Sequence, residues 1–255
     1  MFKYCSRNDI GVSHNTNDDK FMINDVIIED GDYKGRSENY ISAILCDGVS
    51  GELEGNRAAL ETLKNLKGIV KENLTKEEVI EKIEETNTLI RKIQRDENKE
   101  KGLKTTLVGV YSNKNIFIYY NLGDSRAYRY RNGYFQRLTR DDSKVQDMID
   151  NELISEEEAM HYSQRNIINN CIGYSDTCKI NIYSSNIALR EDDIIFLCSD
   201  GITDVIDDDT LKVIFDKRNS IEETLNEIYS LSLKNKSKDN ISLIIIKKED
   251  YCNEW

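Results

Sequence analysis

The chain has 255 residues, 38% of them hydrophobic, which is enough to bury a sizeable core, and it reads as one large domain over 1–255. Its formal net charge of −12 argues against nucleic acid or an anionic membrane surface as the main partner, because both require a basic patch. No apolar run approaches the length of a bilayer span and the opening Met-Phe-Lys-Tyr-Cys lacks an apolar leader, so the expected location is the cytoplasm.

In chain order the pattern gives strands, then helices, then many strands, then helices and a final strand. The run Ala43-Ile44-Leu45-Cys46 ends in Asp47-Gly48; it reads as a buried strand whose terminal turn carries a carboxylate out of the core. Residues 57–74 and 76–98 read as helices. In the second, Val79, Ile80, Ile83, Leu89, Ile90 and Ile93 fall mostly on one face, and Thr75 with Glu78 makes a capping box. Residues 105–112 and 115–122 read as adjacent strands turned at Asn113-Lys114, the second ending in Leu122-Gly123-Asp124-Ser125-Arg126. Residues 126–131 and 134–138 form the clearest hairpin, because Asn132-Gly133 is the pair a tight primed turn prefers.

The stretch 143–170 is polar, starts a helix at Ser155 with Glu158 three residues on, and interrupts the strands; it reads as an insertion or flap over the sheet edge. Its block Glu156-Glu157-Glu158 reads as a solvated face. Strand character resumes at 182–189 and 194–198, the latter running into Ser199-Asp200-Gly201 with Asp204 close behind. Residues 207–215 and 221–234 read as helices, Ser237-Lys238-Asp239-Asn240 is a fourth acidic turn, and 241–247 closes as a strand. There is no proline, low-complexity linker or internal repeat.

The six cysteines, at 5, 46, 171, 178, 198 and 252, show no zinc-ligand spacing and read as reduced, with Cys46 and Cys198 in the core. His14 and His161 are the only histidines, which excludes a histidine-rich zinc or iron site and leaves oxygen ligands. Four acidic turns are what a divalent-cation site assembled from distant loops needs. Taken singly, Asp47, Asp200 and Asp239 also suit turns at strand ends, and Asp124 is placed to pair with Arg126.

Seven motifs stand in order along the chain. They are Gly11 through Asn17-Asp18-Asp19, Cys46-Asp47-Gly48-Val49-Ser50-Gly51, Lys104-Thr105-Thr106, Leu122-Gly123-Asp124-Ser125-Arg126, Leu138-Thr139-Arg140-Asp141, Ser199-Asp200-Gly201-Ile202-Thr203-Asp204 and Lys238-Asp239-Asn240-Ile241-Ser242. Together, over about 9–246, they resemble the metal-dependent serine/threonine protein phosphatases of type 2C, bacterial branch. The resemblance implies an α+β fold, a central sandwich of two antiparallel sheets flanked by helix pairs (α-β-β-α). It also implies hydrolysis of phosphoserine and phosphothreonine by a hydroxide bridging two Mn²⁺ or Mg²⁺ ions, with a third ion bound more weakly.

Carried over residue by residue, Asp47 would bridge the two ions, the Gly48 carbonyl would complete the second ion's protein shell, and Asp200 and Asp239 would bind the first. Asp18 and Asp19 would hold metal-bound waters, Asp19 counting with Asp47 and His14 among the catalytic groups. Asp124 and Asp204 would form the third-metal site, and Asn240 would orient its neighbour. The chain departs from the family pattern at His14, where an arginine usually grips the substrate phosphate, so that task falls to His14, to Arg7 or to the metals. Ser50 replaces a glycine, the flap lacks the usual His-Pro, and Asp142 stands where a histidine often follows. The partners implied are phosphorylated proteins, a cognate Ser/Thr kinase among them, with no nucleic acid or membrane, and a monomer is expected. Two other readings are a catalytically weak or inactive phosphoprotein-binding module of the same fold, and a sugar-phosphate or nucleotide phosphatase.

Overall fold

The computed structural model describes residues 1–49, 54–99, 102–160 and 162–250, so Ser50, Gly51, His161 and Cys252 lie outside the described residues. The described strands form two six-stranded antiparallel sheets. The first runs β4 (Gly31–Ser37), β1 (Phe2–Asp9), β12 (Ile241–Lys248), β11 (Ile194–Cys198), β8 (Arg126–Arg131), β9 (Tyr134–Arg137). The second runs β10 (Asn181–Ser185), β7 (Phe117–Leu122), β6 (Leu107–Ser112), β5 (Ile41–Asp47), β2 (Asp19–Ile23), β3 (Val26–Ile28).

The long apolar runs are explained by burial on both faces. In β5, Ile41, Ala43 and Leu45 pack between the sheets against Ile244 and Ile246 of β12. The alternate residues Ile44 and Cys46 lie under helices α1 (Gly55–Leu66) and α2 (Lys76–Asp96), against Ala59, Leu63 and Ile83. Ile241, Leu243 and Ile245 of β12 likewise lie under α6 (Asp208–Asp216) and α7 (Ile221–Lys234), against Ile214, Phe215 and Ile228. The result is the expected α-β-β-α sandwich. Short helices α3 (Lys144–Asp150) and α4 (Glu156–Met160) occupy the flap, and α5 (Asp200–Thr203) follows β11.

Several boundaries differ from the sequence reading. The first helix stops at Leu66 rather than continuing to 74, because Lys67 turns extended and Gly68 takes φ 85°. Helix α3 was not foreseen; Ser143 caps it by accepting from the Gln146 N–H at 3.2 Å. The capping boxes at Thr75/Glu78 and Ser220/Glu223 are both formed. At the β8–β9 turn Asn132 and Gly133 have φ 51° and 85°, the positive pair that a primed turn requires.

Candidate metal centre

Because neighbouring strands run antiparallel, the C-terminal ends of β5, β7 and β11 and the N-terminal ends of β2, β8 and β12 meet at one end of the sandwich. Asp47 is the last residue of β5, Asp19 is the first of β2 directly opposite it, and Asp200 opens α5 just beyond β11. Asp124 follows β7. Asp239 differs from the sequence reading, since it precedes a strand, β12, rather than ending one. The two sheets are tied at this end by Asn240, whose Oδ1 accepts from the Asp18 N–H at 2.8 Å.

The carboxyls here strongly affect one another. Burial first, then the charges of Asp19, Asp200, Asp239 and Asp124, raises the Asp47 carboxyl well above the usual carboxylate range. Asp200 is raised well above that range by burial, then by Asp124, Asp239, Asp204 and Asp19. Burial lifts Asp19 to about 6, and it lifts Asp124 to about 7 with help from Asp141. Asp204 is raised by burial and held back by Arg165. Asp19 Oδ2 and Asp200 Oδ1 are buried with no hydrogen-bond partner among the described residues.

Buried carboxylate oxygens without donors are costly. Two basic side chains near the site turn elsewhere: Lys20 Nζ to the carbonyls of Asn17 and Asp19 at 2.6 and 3.0 Å, and Arg126 to Asp141 at 2.8 Å. A deficit of positive charge among oxygen donors fits hard divalent cations. Among the described residues no three His, Cys, Asp or Glu side chains form a ready metal-binding set.

The protein phosphatase 2C family model matches residues 36–239. The chain belongs to the protein phosphatase 2C family. The serine/threonine phosphatase stp of Listeria welshimeri is 27% identical over 218 residues, 83% of this chain and 86% of that one. A Streptococcus pyogenes protein named for the 2C type is 30% identical over 212 residues, 81% of this chain and 85% of its own. Among solved structures, Stp1 from Staphylococcus aureus matches with TM-score 0.84 at 26% identity, over 98% of this chain and 96% of that chain. The catalytic domain of PstP, solved with two manganese ions, matches with TM-score 0.78 at 22% identity, over 98% and 100%, which bears on the fold. As a family member the chain is a serine/threonine protein phosphatase, and the reading as a non-catalytic binding module is not favoured.

Several polar residues hold the backbone at this end of the phosphatase. Thr105 Oγ1 donates to the Asp47 carbonyl at 2.9 Å, and Thr106 both donates its N–H to that carbonyl at 2.8 Å and accepts from the Asp47 N–H at 3.1 Å. The Thr-Thr pair thus fixes the backbone of Asp47. Asn240 donates its N–H to Asp239 Oδ1 at 2.8 Å, which supports the expectation that it orients its neighbour, and its Nδ2 holds the carbonyls of Ile10 and Thr16. Asn8, buried in β1, holds the carbonyls of Asp19 and Glu29 and accepts from Asn17 and Ser242. Asp142 ties the Gly123 N–H, Asn170 and Asn181 together at the flap base.

Two glycines let backbones approach closely. A Cβ on Gly48 would lie 2.4 Å from the Gly55 carbonyl, so the start of α1 packs directly on the Asp47-Gly48 turn. A Cβ on Gly201 would lie 1.9 Å from the Asn240 carbonyl oxygen and 3.6 Å from Asp239 Cβ. Gly201→Ala must therefore push α5 away from the Asp239-Asn240 loop, separating Asp200 from Asp239. The expected outcome is a loss of about 2 kcal/mol in stability, read by urea unfolding, with a weakened response of turnover to Mn²⁺.

His14 Nε2 lies 3.4 Å from Asp239 Oδ1, half-exposed at the rim. Arg7 is committed elsewhere: it makes a two-pronged pair with Asp32, both distances 2.7 Å, and covers the Tyr229 ring at 4.5 Å. Asp204 is engaged from the flap by Arg165 at 3.1 Å and by Asn166 at 3.3 Å. Arg126 pairs with Asp141 rather than Asp124, and Arg137 adds a second ion pair to Asp141.

Proposed function

We propose that this phosphatase hydrolyses phosphoserine and phosphothreonine on proteins with two divalent cations, Mn²⁺ or Mg²⁺, held by Asp47, the Gly48 carbonyl, Asp200 and Asp239. Asp18 and Asp19 hold bound waters, and Asp124 with Asp204 takes a third cation more weakly. The observation that carries this reading is the convergence of carboxyls from five separate stretches, two of them with buried, unpartnered oxygens. When bound, the cations neutralise charge on the phosphoryl group and lower the pKa of a water they share. The chain's own part is orientation: Thr105 and Thr106 fix Asp47, Asn240 fixes Asp239, and Asn8 holds the Asp19 carbonyl.

The phosphate is then held by His14, 3.4 Å from Asp239, together with the metals, Arg7 being committed to Asp32. A neutral imidazole lacks the charged, two-pronged grip of guanidinium. His14→Arg is expected to lower KM for p-nitrophenyl phosphate by about tenfold, and His14→Ala to raise it by about threefold, as steady-state kinetics would show. The substrates include a cognate Ser/Thr kinase, and the phosphatase works as a cytoplasmic monomer. No helix among the described residues is long and apolar enough to cross a membrane. The testing experiment is phosphate release from p-nitrophenyl phosphate and a phosphothreonine peptide, titrated with Mn²⁺ and Mg²⁺. Turnover of both that vanishes with chelator supports the reading; a folded protein with no turnover, or with turnover indifferent to chelator, overturns it.

A further inference from the structure

Helix α2 buries more than an apolar face. Asn87 and Gln94, about two turns apart and so on one side of the helix, are 1% and 0% exposed. Gln94 Nε2 donates to the carbonyls of Leu103 at 3.1 Å and Gly173 at 3.0 Å, and also to that of Gly102. Carbonyls only accept, so the nitrogen end of the amide faces them, while its oxygen accepts from Arg91 Nη1 at 2.6 Å. Asn87 grips the second stretch too: its Oδ1 accepts from the Gly173 N–H at 2.8 Å and its Nδ2 donates to the Ser175 carbonyl at 3.0 Å. One helix thus holds two lengths of backbone far apart in the chain, 102–103 and 173–175, the second just beyond the flap.

The backbone so held is strained. Leu103, 0% exposed, has φ 50°, a left-handed conformation that a bulky residue keeps only where its surroundings impose it. A Cβ on Gly173 would lie 2.4 Å from the Leu103 carbonyl oxygen and 3.0 Å from Gln94 Nε2, so the groups converge without room to spare. From Leu103 the chain runs directly to the metal centre. Thr105 exchanges backbone hydrogen bonds with Ile172 at 3.2 and 3.0 Å, and the Lys104 carbonyl accepts from the Val49 N–H at 3.0 Å. Thr105 Oγ1 and the Thr106 N–H then hold the Asp47 carbonyl. Among the described residues, none of the hydrogen bonds of Gln94 reaches a carboxyl of the metal centre.

We propose that Gln94 is a positioning residue of the phosphatase: it sets the register of Thr105-Thr106, and through them the backbone of Asp47, so that the Asp47 carboxylate is presented to the cations. Removing a buried amide whose donors serve carbonyls from two stretches leaves those carbonyls unsatisfied, and they regain partners only if the backbone moves or opens to water. That movement is passed to Asp47, because the 105–172 bridge and the Thr-Thr contacts lie between. A side chain that only fills space would cost global stability alone, whereas a positioning residue costs cation affinity and turnover in a protein that stays folded. The consequence for catalysis rests on the proposed role of Asp47 as a cation ligand; the registration of Thr105 and Thr106 does not.

The test compares the full chain with Gln94→Met, which keeps the bulk and removes the donors, and with Val79→Ala, which opens a buried apolar position near the other end of α2 and removes none of these bonds. Native-state hydrogen exchange at the amides of Thr105, Thr106 and Ile172, taken relative to the amides of β12, is expected to quicken about tenfold in Gln94→Met and to stay within about twofold in Val79→Ala. Calorimetric titration should give a Mn²⁺ Kd about tenfold higher for Gln94→Met. Its kcat for p-nitrophenyl phosphate at saturating Mn²⁺ should fall about tenfold with KM within about twofold, and Val79→Ala should stay near the wild type in both. Gln94→Asn keeps the amide but draws it back by one methylene; it should shift the same readouts by about threefold and serves if Gln94→Met does not fold. A folded Gln94→Met with wild-type Mn²⁺ affinity and kcat, or equal shifts in Val79→Ala, overturns the positioning role. A wild type that takes up no Mn²⁺, with exchange at Thr105 and Thr106 still quickened by Gln94→Met, overturns the metal reading and leaves the registration supported.

Discussion

Asp239→Asn is expected to leave a folded protein whose Mn²⁺-dependent turnover of p-nitrophenyl phosphate falls by about a hundredfold or more, and Asp200→Ala to do the same. The asparagine keeps the shape of the side chain, and its carbonyl oxygen can still accept from the Asn240 N–H, now at 2.8 Å from Oδ1. What it removes is one negative charge from a cluster of carboxyls that raise one another's proton affinity. Asp200→Ala removes a buried oxygen that no protein donor satisfies, so the metal-free protein should lose little stability. Circular dichroism and thermal unfolding would establish the fold, and calorimetric Mn²⁺ titration the loss of binding. Full activity in either variant would sink the assignment of these residues as metal ligands.

The elements that the sequence disclosed are those whose cause is local. Apolar runs ending in Asp47 and Asp124 are strands, the run before Asp200 is a strand that leads into the short helix α5 rather than a turn, Asn132-Gly133 closes a hairpin, and Thr75 with Glu78 caps a helix, each within a few residues. The seven ordered motifs added the family and the candidate site. What stayed hidden depends on partners distant in the chain: Asn240 reaches Asp18, Ile10 and Thr16 across more than 220 positions, and Asn8 joins Asp19 to Ser242. Lys20 carries no periodic or motif signal, yet it is buried at 2% exposure under the Asn17–Asp19 carbonyls. Arg126 next to Asp124 reads as a local pair, and only the fold brings Asp141 to compete for it.

In chelator at pH 8, Asp124→Asn is expected to melt higher than the wild type, and saturating Mn²⁺ to narrow or reverse the order. The Asp124 carboxyl is lifted to about 7 from an ordinary value of 3.8, by burial first and then by Asp141. A carboxyl lifted on folding binds its proton more tightly in the folded state, so stability falls as pH rises from about 4 to about 7 and stays reduced above that. An amide has no charge to desolvate, and its advantage should therefore be absent near pH 4 and complete at pH 8. Each kcal/mol of that charge penalty relieved should raise Tm by roughly 2–4 °C for a chain this size. Mn²⁺ binds only the folded state and needs ionised ligands, so the stabilisation it brings should grow between pH 5 and pH 8. Thermal unfolding of both proteins at the two pH values, with chelator and with Mn²⁺, measures each term. A metal-free variant no more stable than the wild type at pH 8 would show that the buried charge of Asp124 is compensated within the protein, and a cation would then have less to neutralise there.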